Sequence, residues 1–312
     1  MGELSLKWKE TGDHPGRISR PGSKIRYDFT PLASLGTNMN TQDQPVLRSS
    51  NMRPVDFSNP PVVETAFAVV FAPIKSWNLL HYGLLWDRYR ESYPFPEVKL
   101  PTGSVQLEGI DLALGQNVDL RTLPLRCWFV DASKNQLIQV QNNAFIRNWR
   151  RMDAPLHYIH YDEFRPLFVK DWATYRQFLS DEGFAQPEVW QCEVTYINHL
   201  LRGKEWESLT DMRQMFPFWQ QKLSEKSDFD VSAFSFNAAL PSKHGQLQVA
   251  ANPVLRTDGK EAIQFTITAS GKPAGSSNDQ VLEWLDLGHS YVVKFFADFT
   301  SQAMHSLWGR TR

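Results

Sequence analysis

Val62-Val-Glu-Thr-Ala-Phe-Ala-Val-Val-Phe71 is an apolar run rich in β-branched residues, held between Asn59-Pro-Pro61 and Pro73, and it reads as a strand. Downstream, Ser76 is placed to cap a helix in which Trp77, Leu80, Leu84, Leu85 and Tyr89 recur at helical spacing, and Tyr93-Pro-Phe-Pro96 ends it. Three strands are expected next, over residues 105–114, 123–131 and 136–149, with the turn Ala132-Ser-Lys-Asn135 between the last two. A helix over 161–183 follows. Phe164, Leu167, Phe168, Trp172, Tyr175, Phe178 and Leu179 form its apolar stripe, Pro166 belongs near its first turn and Gly183 caps its end.

From residue 189 the same order begins again. The reading gives a strand over 189–201, a helix over 206–216 stopped by Phe216-Pro-Phe-Trp219, and strands over 229–240, 245–252 and 263–270. Asp258-Gly259 marks a tight turn between the last two strands. A Gly/Ser loop then leads into a long helix over 281–308, with Leu282, Leu285, His289, Val292, Val293, Phe296, Phe299 and Met304 on one side. The expected architecture is therefore an α+β fold made of a duplicated strand, helix, three strands, helix unit. Its antiparallel sheets lie side by side or merge, and the two long helices pack on one face. This order is similar to that of the TATA-binding-protein fold by analogy, which carries no function.

Three segments are expected: an extended or disordered N-terminal arm over 1–60, a first α+β half over 61–185 and a second over 186–312. The arm is punctuated by Gly, Pro, Ser, Asn and Thr and has few periodic apolar positions, so it cannot offset its ordering entropy alone. An arm of this kind orders against a partner or another copy of the chain.

Composition narrows the function classes. The 312 residues carry 33 Lys+Arg against 34 Asp+Glu, 42% hydrophobic and 13% aromatic residues, which excludes collagen, a mainly disordered chain and a coiled coil. The near-neutrality persists along the chain. The arm has eight basic and six acidic residues, the first half 13 and 14, the second half 12 and 14. No basic domain is hidden behind an acidic one, so bulk electrostatic binding of nucleic acid is not favoured. Cys127 and Cys192 each sit in an apolar run, as buried free thiols of a reducing compartment do. The N-terminus has no secretory h-region and no stretch approaches the roughly 18 apolar residues of a membrane span, so a cytoplasmic protein is expected.

Candidate chemistry concentrates around the junction of the halves. In Gln139-Val-Gln-Asn-Asn-Ala-Phe-Ile-Arg-Asn-Trp-Arg-Arg151, the residues Arg147, Arg150 and Arg151 beside Trp149 offer guanidinium forks and an aromatic platform, a means of holding phosphates. The balanced charge favours instead a sheet segment whose arginines stack on neighbouring aromatics. In His157-Tyr-Ile-His-Tyr-Asp162, His157 and His160 lie three apart, a spacing that gives no shared face outside a helix, so no metal site is expected. His199, after Tyr196-Ile-Asn198, and His289 are isolated histidines that act as general bases only if a carboxylate and a nucleophile converge on them. No nucleophile elbow, phosphate-binding loop, dinucleotide fingerprint or paired Cys-x-x-Cys is present, so no cofactor is expected. The candidate binding residues are Arg147, Trp149, Arg150, His157, His160, Asn198 and His199.

Asn59-Pro-Pro-Val-Val-Glu64, the Asn148-Trp-Arg150 motif, Tyr158 with Tyr161, Tyr196-Ile-Asn-His199, His289 and Trp308-Gly309 together give a resemblance over most of residues 59–309. The chain resembles a sporadically distributed family of uncharacterised prokaryotic proteins. That family has no assigned activity or catalytic residues, so the resemblance implies no site; its patchy distribution implies mobile accessory genes, with antiphage defence one setting. The expected function is a non-catalytic intracellular interaction protein, a sensor or assembly subunit of such a system, with a protein partner or self-association. The alternative is an enzyme or nucleic-acid-binding module whose site lies where the halves meet.

Overall fold

The computed structural model describes residues 55–99, 125–152, 158–219 and 231–311. The chain divides at residue 50/51, and all described residues belong to the second unit. They form a mixed α+β structure: one nine-stranded sheet in the order β2-β3-β4-β5-β1-β6-β9-β8-β7, every pairing antiparallel, with five α-helices. The strands are β1 (Val62–Phe71), β2 (Phe95–Lys99), β3 (Arg126–Val130), β4 (Gln136–Gln141), β5 (Ala144–Arg150), β6 (Val189–Leu201), β7 (Phe234–Ala239), β8 (Gln246–Leu255) and β9 (Glu261–Gly271). The helices are α1 (Leu79–Tyr89), α2 (Tyr161–Asp181), α3 (Met212–Met215), α4 (Asn278–Phe299) and α5 (Gln302–Leu307).

Period-two alternation sorts β1 between two environments. Phe67, Val69 and Phe71 point to the face covered by α2, where Phe67 meets Phe164 at 4.9 Å and Phe71 meets Tyr175 at 6.0 Å between ring centroids. Glu64, Ala66 and Val70 point to the second face. The register carries this sorting across the sheet: Phe67 lies opposite Arg147 on β5 and Val194 on β6, and Val194 lies opposite Ala269 on β9. Helix α4 covers the same face farther along, with Phe296 at 6.1 Å from Phe265 and the α-carbon of Gly288 set close to Val194.

Several boundaries differ from the expected ones for identifiable reasons. Asn78, not Ser76, caps α1 in a reciprocal capping box with His81, because Ser76 sits in a left-handed turn at φ 66°. Leu80 and Leu84 face outward, and the buried face of α1 is Tyr82, Leu85 and Tyr89. Tyr93-Pro-Phe-Pro96 ends the helix and also begins β2, where Pro96 is tolerated because β2 is an edge strand among the described residues. The expected single strand over 136–149 is the hairpin β4–β5, turning at Asn142-Asn143. The expected strand over 105–114 lies outside the described residues.

In the second half, the expected helix over 206–216 shrinks to a 3-10 turn and the four-residue α3, closed by Pro217. The final helix breaks after Phe299. Thr300 returns its hydroxyl to the Phe296 carbonyl at 2.7 Å, the Ser301 amide donates to the Met215 carbonyl at 2.9 Å, and the Ser301 side chain caps α5. Helix α5 drives Trp308 into the core, where its indole donates to the buried Glu205 carboxylate at 3.3 Å. The backbone after it pairs with residues 56–59, so the folded unit begins before residue 60, with Phe57 buried against Phe296 and Trp308.

Gly245 sits at φ 130°, and a Cβ there would lie 1.9 Å from the Ser270 carbonyl oxygen. Gly245→Ala therefore has to displace the β8–β9 backbone as well as adopt a disfavoured φ. It is expected to cost about 1–3 kcal/mol from the conformation alone, read as a lower midpoint in thermal unfolding; an unchanged midpoint would refute the close approach.

Candidate functional site

Alternation along β5 divides the Asn-Trp-Arg segment between the two faces. Arg147 and Trp149 lie under α2, whereas Asn148 and Arg150 face the other way. Arg147 is fully buried, 4.8 Å from the Phe164 ring, and its Nε donates to Asp171 Oδ2 at 2.8 Å. Another guanidinium nitrogen donates to Gln136 Oε1. Asp171 Oδ2 also accepts from the Tyr93 hydroxyl at 2.6 Å, and the Tyr89 hydroxyl donates to the Asp171 carbonyl at 2.5 Å. Burial is the first cause that pushes the Tyr93 phenol well above its ordinary range. This is an interior ion pair tying β5 to α2, with both charges committed to each other.

Trp149 is buried edge-on to Tyr158, 5.6 Å away, and the Arg151 guanidinium lies 5.8 Å from its ring. His160 precedes α2, with its ring 4.8 Å from Tyr158 and its Nδ1 3.5 Å from Asp56 Oδ1. His157 lies outside the described residues. Asn198 is buried on the helix-covered face and donates to the Phe265 carbonyl at 3.0 Å. His199 points the opposite way. Its Nδ1 is 3.0 Å from Arg256 Nη1 and its Nε2 is 3.3 Å from Gln264 Oε1. Arginine only donates, so Nδ1 accepts, the proton sits on Nε2, and Gln264 receives it. Burial lowers the His199 pKa, in keeping with this neutral imidazole.

The structure thus brings Arg147, Trp149 and Asn198 to the helix-covered face, leaves Arg150 and His199 on the second face, and puts His160 at the start of α2. They do not converge on one pocket. A shallow groove of about 560 Å³ lies elsewhere, lined by residues including Arg202, Trp206, Leu255 and Glu261.

On the second face, side-chain hydrogen bonds run across the strands. Arg126 donates to Gln139 at 3.2 Å, Gln139 to Asn148 at 2.7 Å and Asn148 to Glu64 at 2.6 Å, linking β3, β4, β5 and β1. Burial raises the Glu64 pKa, opposed by the Asn148 hydrogen bond and by Arg150. Beside this chain, Lys99, Arg126 and Arg150 place their charged ends 5.1, 5.3 and 5.2 Å from the Trp128 ring centre. Beyond β6 the face changes character. Thr195 and Thr268 share a 2.8 Å hydroxyl contact, and Gln246, Gln248, Ser235 and Asn237 are exposed, with no charged side chain on this face of β9, β8 or β7 among the described residues.

One cluster escaped the sequence reading. At the seam of α2 and α4, Tyr161 stacks on His289 at 3.8 Å and 6°, while its hydroxyl donates to Asp286 Oδ1. Arg165 forks onto both oxygens of Asp286 at 2.6 and 2.9 Å, and the Tyr196 hydroxyl lies 3.0 Å from His289 Nδ1. Burial lowers the His289 pKa to about 4, so the stacked ring is neutral imidazole. The arrangement clasps two helices over β6. Among the described residues no group of three or more His, Cys, Asp or Glu is placed to hold a metal ion. Burial pushes the thiols of Cys127 and Cys192 up to about 11 and about 12, which keeps both protonated and unreactive. No described helix is long and apolar enough to cross a membrane.

Compared with known proteins, the chain matches no protein-family model, no curated protein and no solved structure.

Removing one member of the buried pair strands the other charge. Asp171→Ala is expected to cost about 3–5 kcal/mol, and Arg147→Met/Asp171→Ala less than Asp171→Ala alone, both read by denaturant unfolding. A double variant weaker than the single would show that Arg147 is not the stranded charge. For His289, a folded pKa of about 4 against 6.5 means that the unfolded chain binds more protons between those values. Stability therefore falls as pH drops through this window. His289→Gln is expected to flatten that part of the stability profile, and an unaltered slope would exclude the clasp as its source.

Proposed function

We propose that this chain is a non-catalytic interaction protein, a cytoplasmic sensor or assembly subunit of a bacterial accessory system such as antiphage defence. Its partner is a protein recognised through the second face of the sheet. The observation that carries this reading is the uncharged, hydrogen-bonding surface over β9, β8 and β7, where Thr268, Gln248, Gln246, Asn237 and Ser235 are presented on paired strands. Donors and acceptors fixed on a sheet recognise a partner by shape and hydrogen-bond pattern, with little ordering cost.

We read the fold as the duplicated unit expected from the element order, with a TATA-binding-protein-like arrangement. In support, β5, β4 and β3 run outward from β1 as β9, β8 and β7 run outward from β6, and α2 and α4 follow β5 and β9. The resemblance to the sporadically distributed prokaryotic family belongs to the same reading. Its Asn-Trp-Arg and Tyr-Ile-Asn-His motifs fall on β5 and β6, the two strands that flank β1.

A second reading is a nucleic-acid-binding module, or an enzyme, with its site at the junction of the halves. The cluster of Lys99, Arg126 and Arg150 around Trp128 favours the nucleic-acid version, since cations beside an indole suit stacked bases and phosphates. Binding to single-stranded RNA or DNA that weakens steeply with salt would select it.

The leading reading is tested with Gln246→Lys/Gln248→Lys, two exposed positions, in affinity purification from the native host. Partner recovery is expected to fall at least about tenfold, the scale of a lost hot spot, with the thermal midpoint unchanged. Equal recovery by variant and wild type would remove the second face from recognition.

A further inference from the structure

Among the described residues, the two edges of the sheet are built differently. Edge strand β2, Phe95-Pro-Glu-Val-Lys99, carries Pro96, Glu97 and Lys99, the residue types that discourage a further strand from pairing. Edge strand β7, Phe234-Ser-Phe-Asn-Ala-Ala239, has no proline and no charge. Its helix-side residues join an aromatic shelf that solvent reaches. Phe218, 45% exposed, packs 5.2 Å from Phe234 and 4.0 Å from Phe299, and Phe236 lies 5.4 Å from Phe299 and 6.2 Å from the half-buried Phe295. On α4 beside this shelf, Lys294 and Asp298 neutralise each other as an i, i+4 pair. Among the described residues, an unguarded edge and an exposed aromatic patch therefore coincide.

We propose that β7 pairs with β7 of a second copy of this chain, joining two sheets edge to edge in a two-fold dimer. Charge matching argues for this occupant: an uncharged strand fits a strand that is itself uncharged, and β7 meets that condition. Its sequence is also self-complementary. A two-fold axis normal to the sheet keeps the helix-covered faces on one side, and opposed residues must then share a face. Centred on Phe236, the pairing sets Phe236 against Phe236 of the second copy, Phe234 against its Ala238, and Ser235 against its Asn237. Aromatic meets aromatic, large meets small and polar meets polar, and the two phenylalanine shelves merge. This inference is independent of the second-face reading.

The test uses the full chain in sedimentation equilibrium from about 1 to 100 μM, the range in which weak protein dimers dissociate. The wild type is expected to approach twice the 36.0 kDa of one chain. Ser235 and Asn237 are exposed, and their β8 neighbours Ala250 and Gln248 are uncharged, so substitutions there leave the monomer fold intact. Ser235→Lys/Asn237→Lys opposes like charges twice across the axis and is expected to raise the dissociation constant at least about tenfold. Ser235→Lys/Asn237→Asp opposes unlike charges in this register and is expected to restore the dimer. Circular dichroism and thermal midpoints, expected to match the wild type, separate weakened pairing from misfolding. A monomeric wild type, a dimer untouched by the two lysines, or failure of the Lys/Asp variant to recover would each overturn the proposal. The second-face variant Gln246→Lys/Gln248→Lys should dimerise as the wild type does, so failure of the partner-recognition reading leaves this one standing.

Discussion

The antiparallel pairing of β1 with β6, running from Val62 opposite Asn198 to Phe71 opposite Val189, is the seam on which the rest of the described structure depends. It sets the phase of alternation for both sides of the sheet at once. With Thr65 opposite Tyr196 and Phe67 opposite Val194, the helix-covered residues of β5 and β9 follow by register, and so do the positions where α2 and α4 dock. A slip of one residue would carry Phe67, Val69 and Phe71 to the second face and bury Glu64 under α2. The Tyr161–His289 stack closes the same seam from above, because Tyr196, beneath it on β6, reaches His289.

The buried Arg147–Asp171 pair adds specificity more readily than stability. Desolvating two charges offsets most of their attraction, so a hydrophobic pair of the same volume would hold β5 to α2 about as well. The pair nevertheless ties one position on β5 to one turn of α2, since a shift along the helix would strand both charges together with the Tyr93 hydroxyl. Glu205 plays the corresponding part near the C-terminus. Its side chain accepts from the Leu201 amide at 2.7 Å, the Trp308 indole at 3.3 Å and Lys204 at 3.0 Å, which fixes where α5 ends against β6.

Elements long enough to show their period were legible in the sequence. Strands β1 and β6 and helix α2 begin and end where proline, glycine and apolar periodicity mark them, and Gly183 closes α2 at φ 75°. The β4–β5 hairpin was less legible. Its inward residues switch from even positions, Ile138 and Val140, to odd ones, Phe145 and Trp149, but Leu137 and Ile146 supply apolar side chains on the other parity and mask the switch. The break between α4 and α5 arises from a bond between the Ser301 backbone and Met215, nearly ninety residues away, and no local pattern encodes it. Asp171 could have been found. It falls within the spacing Phe164, Phe168, Asp171, Tyr175, Phe178, so a carboxylate on the buried seam of α2 demanded a cation from the sheet, and Arg147 was the candidate in reach. The clasp of Tyr161, Arg165, Asp286 and His289 joins two helices more than a hundred residues apart and leaves no such signature.

The placement of charge explains why a chain so nearly neutral still presents contrasting surfaces. Arg147 is consumed in the interior, Arg165 and Asp286 lock two helices, and Lys99, Arg126 and Arg150 gather at one indole on the β3 side of the sheet. The β9–β8–β7 side is left with amides and hydroxyls on its second face and an uncharged edge. Such a region gains little from long-range steering, so association there is governed by fit at contact and depends weakly on salt. The cation-rich side has the opposite character: any anion that docks there must compete with Gln139, Glu97 and the Trp128 ring for groups already engaged. On the neutral side the exposed amides and hydroxyls of Ser235, Asn237, Gln246 and Gln248 meet no such competition, and only Thr268, already bonded to Thr195, would have to exchange a partner.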